Sequence, residues 1–129
     1  MIKETLLTIT FLFGSPAEHE CLAKNIYFEA RNQSMAGQLA VSHVVLNRVE
    51  SKRYPNTICE VVQQGLTSRW WKKEHGKTVM LKNKCQFSWY CDGLSDKPKE
   101  KSTWRNALVV ARDAYTLYKL GTDVTDGSM

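Results

Sequence analysis

The sequence predicts a mainly α fold of the α+β kind, a single helical domain with a small β-hairpin and loop region around residues 66–101. Three observations carry this expectation. Four stretches repeat apolar residues at helical spacing. The stretch between the third and the fourth has no clean period and holds turn residues and aromatics. At 129 residues the chain suits one domain better than two.

A first helix is expected over residues 18–31. Leu22, Ala23, Ile26 and Ala30 form one stripe, while Lys24 and Arg31 point the other way. A second helix runs from about Ser34, a residue type that caps helix starts, to Val49. Met35, Leu39, Val41, Val44, Val45, Leu46 and Val49 surround it almost completely, which predicts a place at the centre of the core. Asn47 and Arg48 are polar exceptions near its end. Tyr54-Pro55-Asn56 breaks the chain. Thr57-Ile58-Cys59-Glu60 then matches a capping box, so a short third helix turns Ile58, Val61 and Val62 inward and stops near Gly65. Residues 66–101 read as loops with one or two short strands, with Cys91-Asp92-Gly93 as a turn signal. In the final helix Trp104, Ala107, Leu108, Ala111, Ala114, Tyr115 and Tyr118 recur every three or four residues; Ser102 is the expected cap and Gly121 the stop.

The net charge of +5 suits an anionic partner without choosing among nucleic acid, cell envelope and membrane surface. No stretch approaches the roughly 20 apolar residues of a membrane span, so no stable membrane anchor is expected. Residues 1–17 read as an export leader: Lys3 near the start, the apolar run TLLTITFLFG, then Ser15-Pro16-Ala17. A buried first strand or helix is the alternative. Residues 18–129 are then one domain acting in the periplasm or outside the cell. Cys21, Cys59, Cys85 and Cys91 all follow the leader, and an even count in a small exported domain suggests two disulfides. Of the three pairings, 85–91 with 21–59 is favoured, because Cys85 and Cys91 flank an aromatic turn. His19, His43 and His75 have no ligand spacing to one another or to a cysteine pair, and no metal or cofactor is expected.

At about 100° per residue, Glu29 falls at the edge of the apolar arc of the first helix. Burial raises a carboxyl group's pKa, and a glutamic acid that keeps its proton can give it to a leaving glycosidic oxygen. The plain alternative is a surface ion pair with Arg31 or a lysine. Gln86-Phe87-Ser88-Trp89-Tyr90 packs amide, hydroxyl and aromatic groups together, as a saccharide cleft does, although the rings could simply fill core. Asp92 is the best candidate for a second carboxylate; Glu50, Glu60 and Asp96 are weaker. Arg69, Lys72, Lys73, Lys77, Lys82 and Lys84 face only Glu74 and accompany Trp70 and Trp71, either as a solvated face or as a grip on an anionic polymer.

CLAKNIYFEARNQSMAGQLAVSHVVLNRVESKRYPNTICEVVQQ, residues 21–64, closely resembles the core of the SleB-like cell-wall hydrolases, the spore cortex-lytic enzyme family. CQFSWYCDG, residues 85–93, resembles that family's second motif, and Trp104–Gly121 with the following DVTDG its third region. The resemblance implies a lysozyme-like fold and action on peptidoglycan glycan strands, cleaving between N-acetylmuramic acid and N-acetylglucosamine as a lytic transglycosylase. It puts the catalytic acid on Glu29 and saccharide contacts on Gln86, Phe87 and Ser88. Beside these, Trp89 of the same aromatic stretch and Tyr27 are expected to bind substrate. The basic stretch 66–84 stands where the family has a shorter link, and relatives usually continue past the DVTDG signal. A bare catalytic domain behind a leader is similar to a bacteriophage endolysin or a small periplasmic wall hydrolase. A monomer is expected. The competing class is a non-catalytic, disulfide-stabilised wall-binding module. A nucleic-acid binder is disfavoured because no such motif is present.

Overall fold

The computed structural model describes residues 15–121, 125 and 127–129. Most of the expected leader, and most of DVTDG, lie outside the described residues. The elements are helix α1 (Pro16–Ala30), α2 (Met35–Glu50), α3 (Ile58–Val62), strand β1 (Gly65–Thr67), α4 (Arg69–His75), β2 (Met80–Cys85), a 3₁₀ turn (Ser88–Cys91) and α5 (Lys101–Lys119). The fold is mainly α with a two-stranded antiparallel sheet, as the sequence indicates.

Helix α1 lies at the centre and packs on α5, α2 and α3. The predicted stripe of Leu22, Ala23, Ile26 and Ala30 is buried. It meets Val45 and Leu46 of α2, Ile58, Val61 and Val62 of α3, and Ala107, Val110 and Ala111 of α5. Alanines on both α1 and α5 let the two helix axes approach closely. Ser15 and Pro16, at the tail of the expected leader, open this helix: Glu18 N donates to Ser15 Oγ at 3.3 Å, and Pro16 sits where its missing N–H costs nothing.

Helix α2 begins at its expected cap, with Gly37 N donating to Ser34 Oγ at 3.3 Å. Its burial differs from expectation. Met35 is half exposed, whereas Gln38, Ser42 and His43 are buried. Each buried polar group has a partner, so the interior accepts them. Gln38 Nε2 donates to the Gln33 carbonyl at 3.2 Å and Gln38 Oε1 accepts from Asn106 at 3.1 Å; Ser42 Oγ donates to the Gln38 carbonyl at 2.9 Å. His43 Nε2 donates to the Ala114 carbonyl at 3.1 Å, and His19 Nε2 to the Leu108 carbonyl at 2.8 Å. Both histidines therefore clamp α5. Asn47 and Arg48 hold the last residues of the chain: Asn47 Nδ2 donates to Thr125 Oγ1 at 3.0 Å and Arg48 Nη2 to the Met129 carbonyl at 3.0 Å.

Thr57 caps α3 by accepting from Glu60 N at 3.2 Å. Beyond it the sequence missed α4, whose seven residues are all unburied, so no apolar period betrays it. Its caps are legible in hindsight. Ser68 Oγ accepts from Trp71 N at 3.3 Å, and Gly76 turns left-handed at φ 64°, a conformation that favours glycine. Strand β1 pairs with β2 through Gly65↔Cys85 and Thr67↔Met80. A Cβ on Gly65 would come within 2.8 Å of Cys85 Sγ and 2.9 Å of its Cα, so only glycine fits. Helix α5 starts two residues earlier than expected: Glu100, not Ser102, is the N-cap, and Ser102 lies inside the helix.

The disulfides are Cys21–Cys59 and Cys85–Cys91, the favoured pairing. They close loops of 38 and 6 residues. From loop-closure entropy, replacing Cys21 and Cys59 by serine should lower unfolding free energy by about 4 kcal/mol, and replacing Cys85 and Cys91 by about 2 kcal/mol. Urea denaturation of the two variants checks that order.

Candidate functional site

A cleft of about 420 Å³ opens where the end of α1 meets the 3₁₀ turn and the segment leading into α5. That size lies within the range of small-ligand sites. Its walls include Tyr27, Phe28, Arg31, Trp89, Asp92 and Lys99. Three of the residues singled out in the sequence, Tyr27, Trp89 and Asp92, thus come together in one groove.

Trp89 anchors the wall. It is buried, its Nε1 donates to Asn25 Oδ1 at 2.9 Å, and its ring stacks on Phe28 with centroids 5.0 Å apart and planes 17° apart. Asn25 is fully buried, and its Nδ2 has no partner among the described residues. Tyr27 is buried as well. Its hydroxyl accepts from Lys99 N and Glu100 N, both at 3.2 Å, which fixes the far lip of the cleft. The Arg31 guanidinium lies 4.9 Å from the Tyr27 ring centroid.

Glu29 follows Phe28 on α1 but does not line the cleft. The residue is exposed, more open than its place on the apolar arc suggests. In the last turn of α1 the buried side is formed by Ile26, Tyr27 and Ala30, and Glu29 lies off it. The surface ion pair with Arg31 does not form, because that guanidinium lies over Tyr27. Among the described residues no hydrogen bond or ion pair engages the Glu29 carboxylate. Partial burial, uncompensated by any donor, holds its pKa above the ordinary value.

Asp92 Oδ1 accepts from Leu94 N at 2.9 Å and so shapes the turn after the 3₁₀ segment. Asp96 sits in a neighbouring recess of about 210 Å³ with Glu20, Lys24 and Tyr90. Burial and then the nearby Asp92 raise the Asp96 pKa, while Lys24 lowers it. Gln86 and Ser88 are exposed and stand outside the cleft. Gln86 N donates to the Gln64 carbonyl at 2.9 Å. Phe87 packs against the Arg48 guanidinium at 5.3 Å, with Tyr54 5.2 Å from the same group. Sequence reasoning missed Arg31, which it turned toward solvent, and the Lys97, Lys99 and Glu100 lip. The only signal there was the alternation of charge around Pro98. Among the described residues no group of three His, Cys, Asp or Glu side chains is placed to hold a metal ion.

Two outcomes test this geometry. Trp89→Phe leaves the buried Asn25 amide wholly unpaired and should cost at least about 1–3 kcal/mol; adding Asn25→Leu should recover part of that loss, measured by urea denaturation. For Glu29 the sign follows from a folded pKa above the ordinary 4.5. Ionisation then opposes folding, a penalty absent at acid pH and complete at neutral pH. Glu29→Gln should match wild type in thermal unfolding at acid pH and exceed it at neutral pH.

Comparison with known proteins adds an independent line. Residues 43 in number align at 42% identity with the spore cortex-lytic enzyme of Bacillus cereus, covering 33% of this chain and 17% of that protein. The spore cortex-lytic enzyme of Bacillus subtilis strain 168 aligns at 40% identity over 45 residues, 35% of this chain and 15% of that protein. The aligned stretch is thus less than a fifth of each curated relative. No solved structure gives a significant match. A family model described as Cell Wall Hydrolase matches residues 32–129, beginning just after Glu29. The chain belongs to the cell wall hydrolase family.

Proposed function

We propose that this chain degrades peptidoglycan by cleaving the glycosidic bond between N-acetylmuramic acid and N-acetylglucosamine, as a lytic transglycosylase with Glu29 as acid and then base. The observation that carries this reading is the Glu29 carboxyl: without a partner among the described residues, raised in pKa, and next in sequence to the Phe28–Trp89 aromatic wall. Family membership supplies the polymer; the site supplies the chemistry.

Glu29 gives its proton to the bridging oxygen as the bond from the muramic C1 breaks. The C6 hydroxyl of the same sugar attacks C1, and the Glu29 carboxylate takes the proton that hydroxyl releases. The product is a 1,6-anhydro sugar and no enzymic nucleophile is needed. Were Asp92 to act as a second carboxylate, water would be the acceptor and the ends would be reducing. Tyr27 and Trp89, both buried, shape the groove from behind, the partly buried Phe87 offers aromatic surface for a sugar ring, and Gln86 and Ser88 offer exposed hydrogen-bonding groups. The two disulfides support action outside the cytoplasm, as a phage lysis protein or an envelope hydrolase. The protein would work as a monomer without a cofactor.

Glu29→Gln keeps the shape and removes the titrating proton. Clearing of purified murein by this variant should fall by about 10²–10⁴-fold, and wild-type fragments should carry anhydromuramic ends by mass spectrometry. Undiminished clearing by the variant ends the proposal for Glu29, and saturable binding with no released fragments would favour a binding module.

A further inference from the structure

The β1–α4–β2 arm plays no part in the cleft, yet it carries the charge of the molecule. Between residues 66 and 84, six basic side chains face Glu74 alone, an excess equal to the +5 of the whole chain. The remaining residues balance twelve basic against twelve acidic. The same arm exposes large apolar groups: Leu66 at 61%, Trp70 at 57%, Leu81 at 39% and Trp71 at 37%. We propose that this arm is a docking surface for an anionic phospholipid bilayer.

The exposure is built, not frayed. A seven-residue helix with no buried residue is too short to persist alone. Here Ser68 caps its start, and Gly76 N and Lys77 N close its end on the Lys72 and Trp71 carbonyls at 3.0 and 3.3 Å. Ser68 N donates to the Val79 carbonyl at 2.8 Å, tying the helix ends together. Trp70, Trp71 and His75 pack ring against ring, with centroids 4.8–5.3 Å apart. Cys85–Cys91 secures the base of the arm.

The choice of lipid over glycan rests on the leucines. Sugar rings stack on tryptophan and pair with amides or carboxylates, and exposed Leu66 and Leu81 offer a glycan nothing. At the headgroup–acyl boundary those leucines lose water contact, indole rings find their preferred depth, and lysines meet lipid phosphates. Each basic residue near an anionic leaflet contributes about 1 kcal/mol. Docking would leave the cleft's chemistry unchanged, so it stands apart from the proposed activity.

Co-sedimentation of the full chain tests this, with vesicles of phosphatidylglycerol and phosphatidylethanolamine against vesicles of phosphatidylcholine. The chain should bind the anionic vesicles, with a blue shift of tryptophan emission, and release as salt rises. Lys72→Gln with Lys73→Gln should weaken that binding about thirtyfold. Trp70→Ser with Trp71→Ser should remove the blue shift, and both variants should clear membrane-free murein like wild type. Failure of wild type to bind anionic vesicles, or equal binding to phosphatidylcholine, overturns the proposal. So does loss of murein retention in either variant with vesicle binding intact, or a tryptophan-dependent dimer. Because no α4 residue is buried, the variants should fold; the salt dependence of wild type decides the matter even if one does not.

Discussion

The hydrogen bond from Trp89 to Asn25 ties the long excursion between α3 and α5 to the central helix α1. Between Val62 and Ala107, Trp89 is the one buried residue. Everything in that long excursion, from the hairpin to the lip of the cleft, therefore lacks a core of its own. The indole reaches α1, stacks on Phe28 and meets an amide that is itself fully buried. A buried polar pair is costly to break because each partner is stranded without water. The cleft wall thus owes its position to one directional bond and one ring contact, backed by the short disulfide and by the Tyr27 hydroxyl that receives the Lys99 and Glu100 amides.

Much of this was legible in the residues. The α1 stripe, the Ser34 and Thr57 caps, the disulfide pairing and the antiparallel pair all follow from spacing and local chemistry. What escaped did so for physical reasons. Helix α4 buries nothing, and a helix without an apolar face leaves only its caps as a trace. Helix α2 reads as apolar all round, but its buried side is chosen by partners distant in sequence, Asn106 and the Ala114 carbonyl, which make Gln38 and His43 welcome inside. The lip over residues 97–100 is set by Tyr27, seventy residues away, and no local pattern encodes that distance. Ser102 looked like a cap because serine often is one, yet the backbone enters the helix two residues earlier.

The site divides its labour by exposure. Tyr27 and Trp89 are buried and shape the groove, whereas Gln86 and Ser88 are open and lie outside it. Glu29 stands between these conditions. It is exposed on the last turn of α1, off the side where Ile26, Tyr27 and Ala30 are buried. The outcome is a carboxyl deprived of some water and given no donor in return, a setting that favours the protonated form. Arg31, the nearest cation along the helix, is occupied by the Tyr27 ring, which spares Glu29 a partner that would have pulled its pKa down.

The raised pKa of that carboxyl is the centre of the functional account, and it can be measured directly. Titration of the Glu29 side-chain carboxyl carbon by NMR in the intact, disulfide-bonded chain reads it without substrate or mutation. A midpoint above the ordinary glutamate value of 4.5 is the result this account predicts. A midpoint at or below that value would mean a carboxylate already ionised and well solvated, and Glu29 could not be the acid.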